Sequence, residues 1–176
     1  AGQALPGIEL CILDENNMPV DNGVVGEICM RGANIMLGYR NMEEQTSKTI
    51  VNGWLHTGDG GYLDDDGFLF IVDRVKDMII SGGLNVYPKE IESLVDKIDG
   101  VLESAVIGLS DEDLGERVVA IIVSEENATL DEKEVISEIK DQLAGFKAPK
   151  EVKFIDQLPR NAMGKVQKNI LRETFS

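Results

Sequence analysis

The apolar positions of this chain change their spacing part-way along, and that change divides the sequence into two stretches. Ile8 to Leu13 is an apolar run closed by Asp14-Glu15-Asn16-Asn17, which is turn chemistry, so it predicts a strand. Val24 to Arg31 predicts a second strand between Asn22-Gly23 and Gly32. Asn41-Met42-Glu43-Glu44 predicts the start of a short helix, with Asn41 as N-cap and acids in the first turn. Gly61-Tyr62-Leu63 and Phe68 to Val72 flank Asp64-Asp65-Asp66-Gly67, the pattern of a hairpin.

Beyond Arg74 the pattern becomes mixed. Met78-Ile79-Ile80 predicts a short strand running into Ser81-Gly82-Gly83. Pro88 opens a helix whose Ile91, Leu94, Val95 and Ile98 follow the i, i+3, i+4, i+7 spacing, and Gly100 ends it. Val101 to Leu109 and Arg117 to Ser124 predict strands, and Asp131 to Leu143 a second amphipathic helix. Val152 to Ile155 and Gln167 to Phe175 predict a last strand and a last helix. The expected class is α+β, with a β-rich segment at 1–74, an α+β segment at 75–176 and a hinge at about 74–77.

Composition narrows the functions open to such a fold. The 43% hydrophobic content over 176 residues is that of a folded protein with a real core. A net charge of −15 argues against nucleic acid and anionic membranes as partners. No apolar run is long enough to span a bilayer, and Ala1 to Gly7 has neither the basic nor the apolar part of a signal peptide. A cytoplasmic protein is expected, and the missing initiator Met suggests a piece of a longer chain. Cys11 and Cys29 lie in strand-like runs and read as small buried hydrophobes, and with His56 the lone histidine no metal site is expected. Lys147 to Ser176 carries seven basic side chains against three acidic, so an acidic body has a basic end suited to a small anion.

Three features could carry chemistry. Thr57-Gly58-Asp59 is followed fifteen residues beyond Asp59 by Arg74. Singly these read as a turn aspartate and a surface arginine; brought together they could hold a ribose, the carboxylate accepting and the guanidinium donating. Ser81-Gly82-Gly83 reads either as a plain loop or as backbone that a ligand can approach closely. Pro159-Arg160-Asn161-Ala162-Met163-Gly164-Lys165 puts a lysine on a loop, where it is either solvated or free to neutralise charge developing on a phosphate.

In order, Thr57-Gly58-Asp59, Asp73-Arg74-Val75-Lys76-Asp77, Ser81-Gly82-Gly83-Leu84-Asn85-Val86-Tyr87-Pro88-Lys89-Glu90 and Pro159 to Lys165 resemble the C-terminal motifs of the adenylate-forming superfamily. That superfamily comprises acyl-CoA synthetases, peptide-synthetase adenylation domains and luciferases. Gly26-Glu27-Ile28-Cys29-Met30-Arg31-Gly32 and Leu37-Gly38-Tyr39 match an earlier motif of the same family.

The resemblance implies the β-rich end of a large adenylating domain followed by a small lid. It implies an acid and ATP giving an acyl adenylate and pyrophosphate, then coenzyme A giving a thioester and AMP. Carried over position by position, Asp59 and Arg74 bind the ATP ribose and Lys165 reaches the α-phosphate. Lys76 takes the hinge position, Gly83 lines the pantetheine path, and Lys147 and Lys150 are candidates for the coenzyme A phosphates. One departure is Leu55, where an aromatic is common.

The phosphate-holding loop, the Mg²⁺ ligand and most of the acid pocket are expected in an N-terminal domain outside these residues, so the chain alone is expected to be inactive. Within the superfamily the wording is closest to malonyl-CoA synthetases and fatty-acid–CoA ligases, leaving the acid open between malonate and a fatty acid. The competing readings are a carrier-protein-loading adenylation domain and a non-catalytic lid that binds nucleotide or a partner. Surface left bare without the larger domain makes self-association, including a homo-oligomer, or domain mobility an expectation.

Overall fold

Short strands joined by Asn/Asp-Gly turns build the first half, and longer apolar strands interleaved with helices build the second. The computed structural model describes residues 1–176 and separates into two units, Ala1–Lys76 and Asp77–Ser176. The class is α+β, and no helix is long and apolar enough to cross a membrane.

The first unit contains strands β1 (Ile8–Leu13) and β2 (Gly26–Gly32), helix α1 (Glu43–Thr49), and strands β3 (Ile50–Val51), β4 (Trp54–Leu63) and β5 (Leu69–Arg74). They form one antiparallel sheet in the order β1-β2-β4-β3, with β5 also paired to β4. Its core is small: Ile12, Ile28 and Leu69, supported by Leu10, Val20 and Leu63.

One expectation is corrected here. Asn41 does not cap α1; it sits at φ 57 and the helix begins after Met42 with no side-chain cap. A left-handed Asn ends the preceding turn instead of receiving helical N–H groups. Thr57-Gly58-Asp59 lies inside β4. A further hairpin joins β3 to β4, turning at Asn52 (φ 51) and Gly53 (φ 82).

β4 is irregular where it matters. Its pairing with β5 slips between Gly60 and Gly61, and its pairing with β2 slips between Glu27 and Cys29. A Cβ on Gly61 would fall 2.4 Å from the Phe70 carbonyl oxygen, so only glycine lets the strands approach this closely.

The second unit begins with β6 (Ile79–Ser81) and β7 (Leu84–Val86), followed by α2 (Pro88–Val95), β8 (Val101–Asp111) and β9 (Gly115–Ser124). It ends with α3 (Glu132–Lys140), β10 (Glu151–Phe154) and α4 (Lys168–Phe175). The sheet runs β10-β9-β6-β7 with β8 beside β9; only the β10–β9 pair is parallel.

Both faces of β8 and β9 are covered, which is why their sequences are continuous apolar runs without alternation. Val106, Val118, Ala120 and Ile122 pack with Ile91 and Val95 of α2 and Val135 and Ile139 of α3. The intervening Ala105, Ile107, Val119, Ile121 and Val123 pack with Leu158 and with Leu171 of α4.

Asp131 caps α3 by accepting from the Lys133 and Glu134 amides. The helix expected to continue to Ile98 stops at Val95. Ile98 is still buried, in a turn whose Ile98 carbonyl accepts from Val101 N. The second helix likewise stops at Lys140, short of Leu143. Apolar spacing persists through the closing turns because those residues still face the core, so periodicity overstates helix length.

Candidate functional site

Asp59 and Arg74 are direct cross-strand partners on β4 and β5, a consequence of the slip at Gly60–Gly61. Arg74 Nε donates to Asp59 Oδ1 at 2.9 Å, with side-chain exposures of 50% and 35%. A pair this open adds little stability. It does hold one carboxylate and one planar guanidinium side by side.

The backbone carrying Asp59 is pinned from β2. Gly58 takes φ +73, and its N–H donates to Glu27 Oε1 at 2.9 Å. Thr57 Oγ1 donates to the Ile28 carbonyl at 2.7 Å and accepts from the Asp59 amide at 3.1 Å. Glu27 also meets His56 Nδ1 through Oε2 at 2.8 Å, and Cys29 Sγ lies 3.5 Å from the same nitrogen. Burial, with the Glu27 carboxylate close by, pushes the Cys29 thiol up to about 12, so with no cation beside it the thiol stays protonated. Glu27 was not singled out as a site residue; its signal was its place two residues before Cys29, on the same face of β2.

Lys76 is exposed in a 3-10 turn, Val75–Asp77, and the boundary between the two units falls directly after it.

In the second unit Gly82 and Gly83 form the two-residue turn between β6 and β7, at φ 60 and 76. Both angles suit a type I′ hairpin, which explains two successive glycines locally. Gly83 is exposed, and a Cβ there would meet nothing within 4 Å. Backbone angle, not crowding within this chain, restricts the position.

Lys165 stands on a tight loop built by Asn161, whose Oδ1 accepts from the Met163 and Lys165 amides at 3.0 Å each. The Lys165 carbonyl accepts from Asn161 N at 2.9 Å, and a β-bridge joins Arg160 to Val166. Arg160 is anchored by Glu103 and by the Gly164 carbonyl. The Lys165 side chain is exposed and makes no ion pair, so an unpaired ammonium is carried on a braced turn.

The two coenzyme A candidates differ. Lys147 Nζ is already held by both oxygens of Glu90, at 2.9 and 2.8 Å, so an incoming phosphate must compete with that carboxylate. Lys150 is exposed and lines a depression with Lys133, Ser137 and Lys140. Of the expected site residues, then, Asp59 and Arg74 touch each other. No hydrogen bond or ion pair joins Gly83, Lys147, Lys150 and Lys165.

Comparison with known proteins assigns the family. Residues 90–165 match the AMP-binding enzyme C-terminal domain, and residues 1–40 match the AMP-binding enzyme family. A methyl-dioxo-octahydroindenyl propanoyl:CoA ligase of Rhodococcus jostii is 52% identical over 98% of this chain and 32% of its own length. The fatty acid–acyl-carrier-protein ligase ScoC of Streptomyces coeruleorubidus is 40% identical over 99% of this chain and 34% of its own. Among solved structures, ATP-bound MatB from Rhodopseudomonas palustris superposes with a TM-score of 0.90 at 47% identity, covering 99% of this chain and 35% of that one. This chain thus spans about a third of the length of the curated relatives it matches. It belongs to the AMP-binding enzyme family and carries that family's C-terminal domain.

Proposed function

We propose that this chain is the C-terminal part of an ATP-dependent acid–CoA ligase, supplying the ribose-holding edge of the large domain and the lid. The observation that carries this reading is the Asp59–Arg74 pair. A carboxylate and a guanidinium stand opposite each other on neighbouring strands, half open to solvent, on backbone locked by Glu27 and Thr57.

A ribose suits that pair. Its two hydroxyls donate to one carboxylate, and the guanidinium donates to a sugar oxygen. In the first half-reaction a carboxylate oxygen of the acid attacks the α-phosphorus of ATP and pyrophosphate leaves. Both reactants are anionic, so an ammonium fixed beside the reacting oxygens lowers the barrier. Lys165 is assigned that role because its ammonium is unpaired and its loop is braced by Asn161 and Arg160.

In the second half-reaction the thiol of coenzyme A attacks the acyl carbon and AMP leaves. Gly83 is assigned to the thiol's path and Lys76 to the pivot between the two arrangements. Lys150 is the better candidate for a coenzyme A phosphate, since Glu90 occupies Lys147. The Mg²⁺ that accompanies ATP is assigned to ligands outside these residues. Two free thiols suit a reducing, cytoplasmic setting.

A second reading is favoured by one relative, the acyl-carrier-protein ligase ScoC, in which a carrier's thiol takes the place of coenzyme A. The test is acid-dependent AMP release by the full-length enzyme, with malonate, short-chain and long-chain acids, and with coenzyme A or a carrier protein as acceptor. AMP release that requires an acid and coenzyme A supports the ligase. Release requiring the carrier supports the second reading, and no release from folded enzyme overturns both.

A further inference from the structure

Beyond the ribose pair, the first unit gathers three side chains of metal-ligating type that the sequence keeps far apart. Cys29 on β2 and His56 on β4 are direct cross-strand partners, and Glu27 lies two residues before Cys29 on the same face. The Glu27 carboxylate, Cys29 thiol and His56 imidazole place one ligand atom each within 4.8 Å of one another. We propose that Glu27, Cys29 and His56 form a binding site for a zinc-class divalent ion.

The geometry fits such an ion. With metal–sulfur and metal–nitrogen bonds of about 2.3 and 2.0 Å, a tetrahedral edge between the two atoms is about 3.5 Å. The separation of Cys29 Sγ from His56 Nδ1 is 3.5 Å. The carboxylate edge is tighter, 2.8 Å from Nδ1 to Glu27 Oε2, because a hydrogen bond now joins the two groups. Metal binding takes the place of that bond and opens the edge by about half an ångström. The other carboxylate oxygen stays fixed by the Gly58 N–H at 2.9 Å, the kind of outer contact that orients a metal ligand.

The ligand set is selective and reachable. Thiolate and imidazole favour zinc or cobalt, whereas magnesium and calcium prefer oxygen alone. His56 also lines a cavity of about 250 Å³ with Cys11, Asn52 and Trp54, so the imidazole is reached from that side. On binding, Cys29 releases its proton to the buffer, and the Nδ1 proton now donated to Glu27 is given up through solvent, so that the neutral imidazole carries its one proton on Nε2 and Nδ1 is free for the ion. Since Glu27 also holds Gly58, occupancy bears on the backbone beside Asp59. The inference does not depend on the ligase reading.

The test uses the untagged 176-residue chain, stripped with chelator and titrated with Co²⁺ and then Zn²⁺ by calorimetry and absorption. The expected result is one ion per chain, a thiolate-to-cobalt charge-transfer band with tetrahedral d–d absorption, and loss of both on adding Zn²⁺. Cys29→Ser and His56→Gln, checked for folding by far-UV circular dichroism, should each weaken binding at least about a hundredfold, matching or exceeding the loss of an outer-shell partner. If a variant does not fold, the wild-type spectrum decides. A charge-transfer band at unit stoichiometry upholds the site. Binding without that band, binding without defined stoichiometry, or unchanged affinity in folded Cys29→Ser overturns it and leaves the three residues as a hydrogen-bonded support for Gly58.

Discussion

Glu92→Ala should destabilise the second unit selectively and by a large amount. Glu92 is 7% exposed, its Oε1 accepts from the Val106 amide at 3.0 Å, and Lys168 Nζ meets the same oxygen at 2.7 Å. Those contacts tie α2 to strand β8 and to the start of α4. Truncation leaves a buried N–H without a partner, costing about 1–3 kcal/mol. It also leaves the Lys168 ammonium, 14% exposed, without its counter-charge, and breaking a buried pair from one side costs about 3–5 kcal/mol. The two losses share one site and do not add.

A net loss of about 3–4 kcal/mol follows, or roughly 1.5–3 M in urea midpoint at a slope of about 1.3–2 kcal/mol/M. Glu92→Gln, which keeps the acceptor and the volume, should lose less than half of that. The chain offers its own control, because Trp54, its one tryptophan, lies in the first unit. Tryptophan fluorescence therefore follows the first unit, while far-UV circular dichroism follows both. The expected result is a large shift in the dichroism transition with the fluorescence transition unmoved. A loss under about 0.5 kcal/mol, the size of an ordinary surface change, would refute the reasoning, as would equal movement of both transitions.

Three further outcomes are expected. Lys165→Ala in the full-length enzyme should cut acyl-adenylate formation about 10²–10³-fold while sparing thioester formation from a supplied adenylate, as separate half-reaction assays would read. Gly83→Leu should slow the thioester step more than adenylation. Gly83→Asn tolerates the positive φ and should isolate the strain term of about 1–2 kcal/mol at φ +76, and equal damage to both half-reactions would argue for strain alone. Lys153, with Arg117 behind it, holds the Glu151 carboxyl below its ordinary 4.5. A lowered folded value means the stabilisation is complete above pH 4.5 and fades as pH falls through the folded value. The wild type should therefore exceed Glu151→Gln by under about 1 kcal/mol at pH 7, with the gap closing as pH falls below 4.5 in pH-dependent urea melts.

The sequence was most legible where one physical signal dominated. β8 and β9 were readable because strands covered on both faces leave long apolar runs, and α2 because Pro88 sits at its first position. The pairing of Asp59 with Arg74 was expected from a motif, but the reason for it was not. It comes from the slip at Gly60–Gly61, a register feature that exists only once two strands are paired. Asn52-Gly53 carried a strong hairpin signal that the apolar runs on either side, only two residues long for β3, did not draw out. Glu92 carried no signal, and Glu27 only its place two residues before Cys29 on β2. Each looks like an ordinary surface acid until the fold brings Val106 N and Lys168, or Gly58 N and His56, to its oxygens. The separation of Cys29 from His56 by twenty-seven residues hid their contact in the same way.

The most direct test of the ligase account is acid-dependent exchange of pyrophosphate into ATP by the full-length enzyme, with and without Asp59→Ala. The account predicts exchange that requires a carboxylic acid and falls by about 10²-fold or more when the ribose-holding carboxylate is removed. Absence of exchange with every acid class from a folded enzyme, or exchange that Asp59→Ala leaves unchanged, would contradict it.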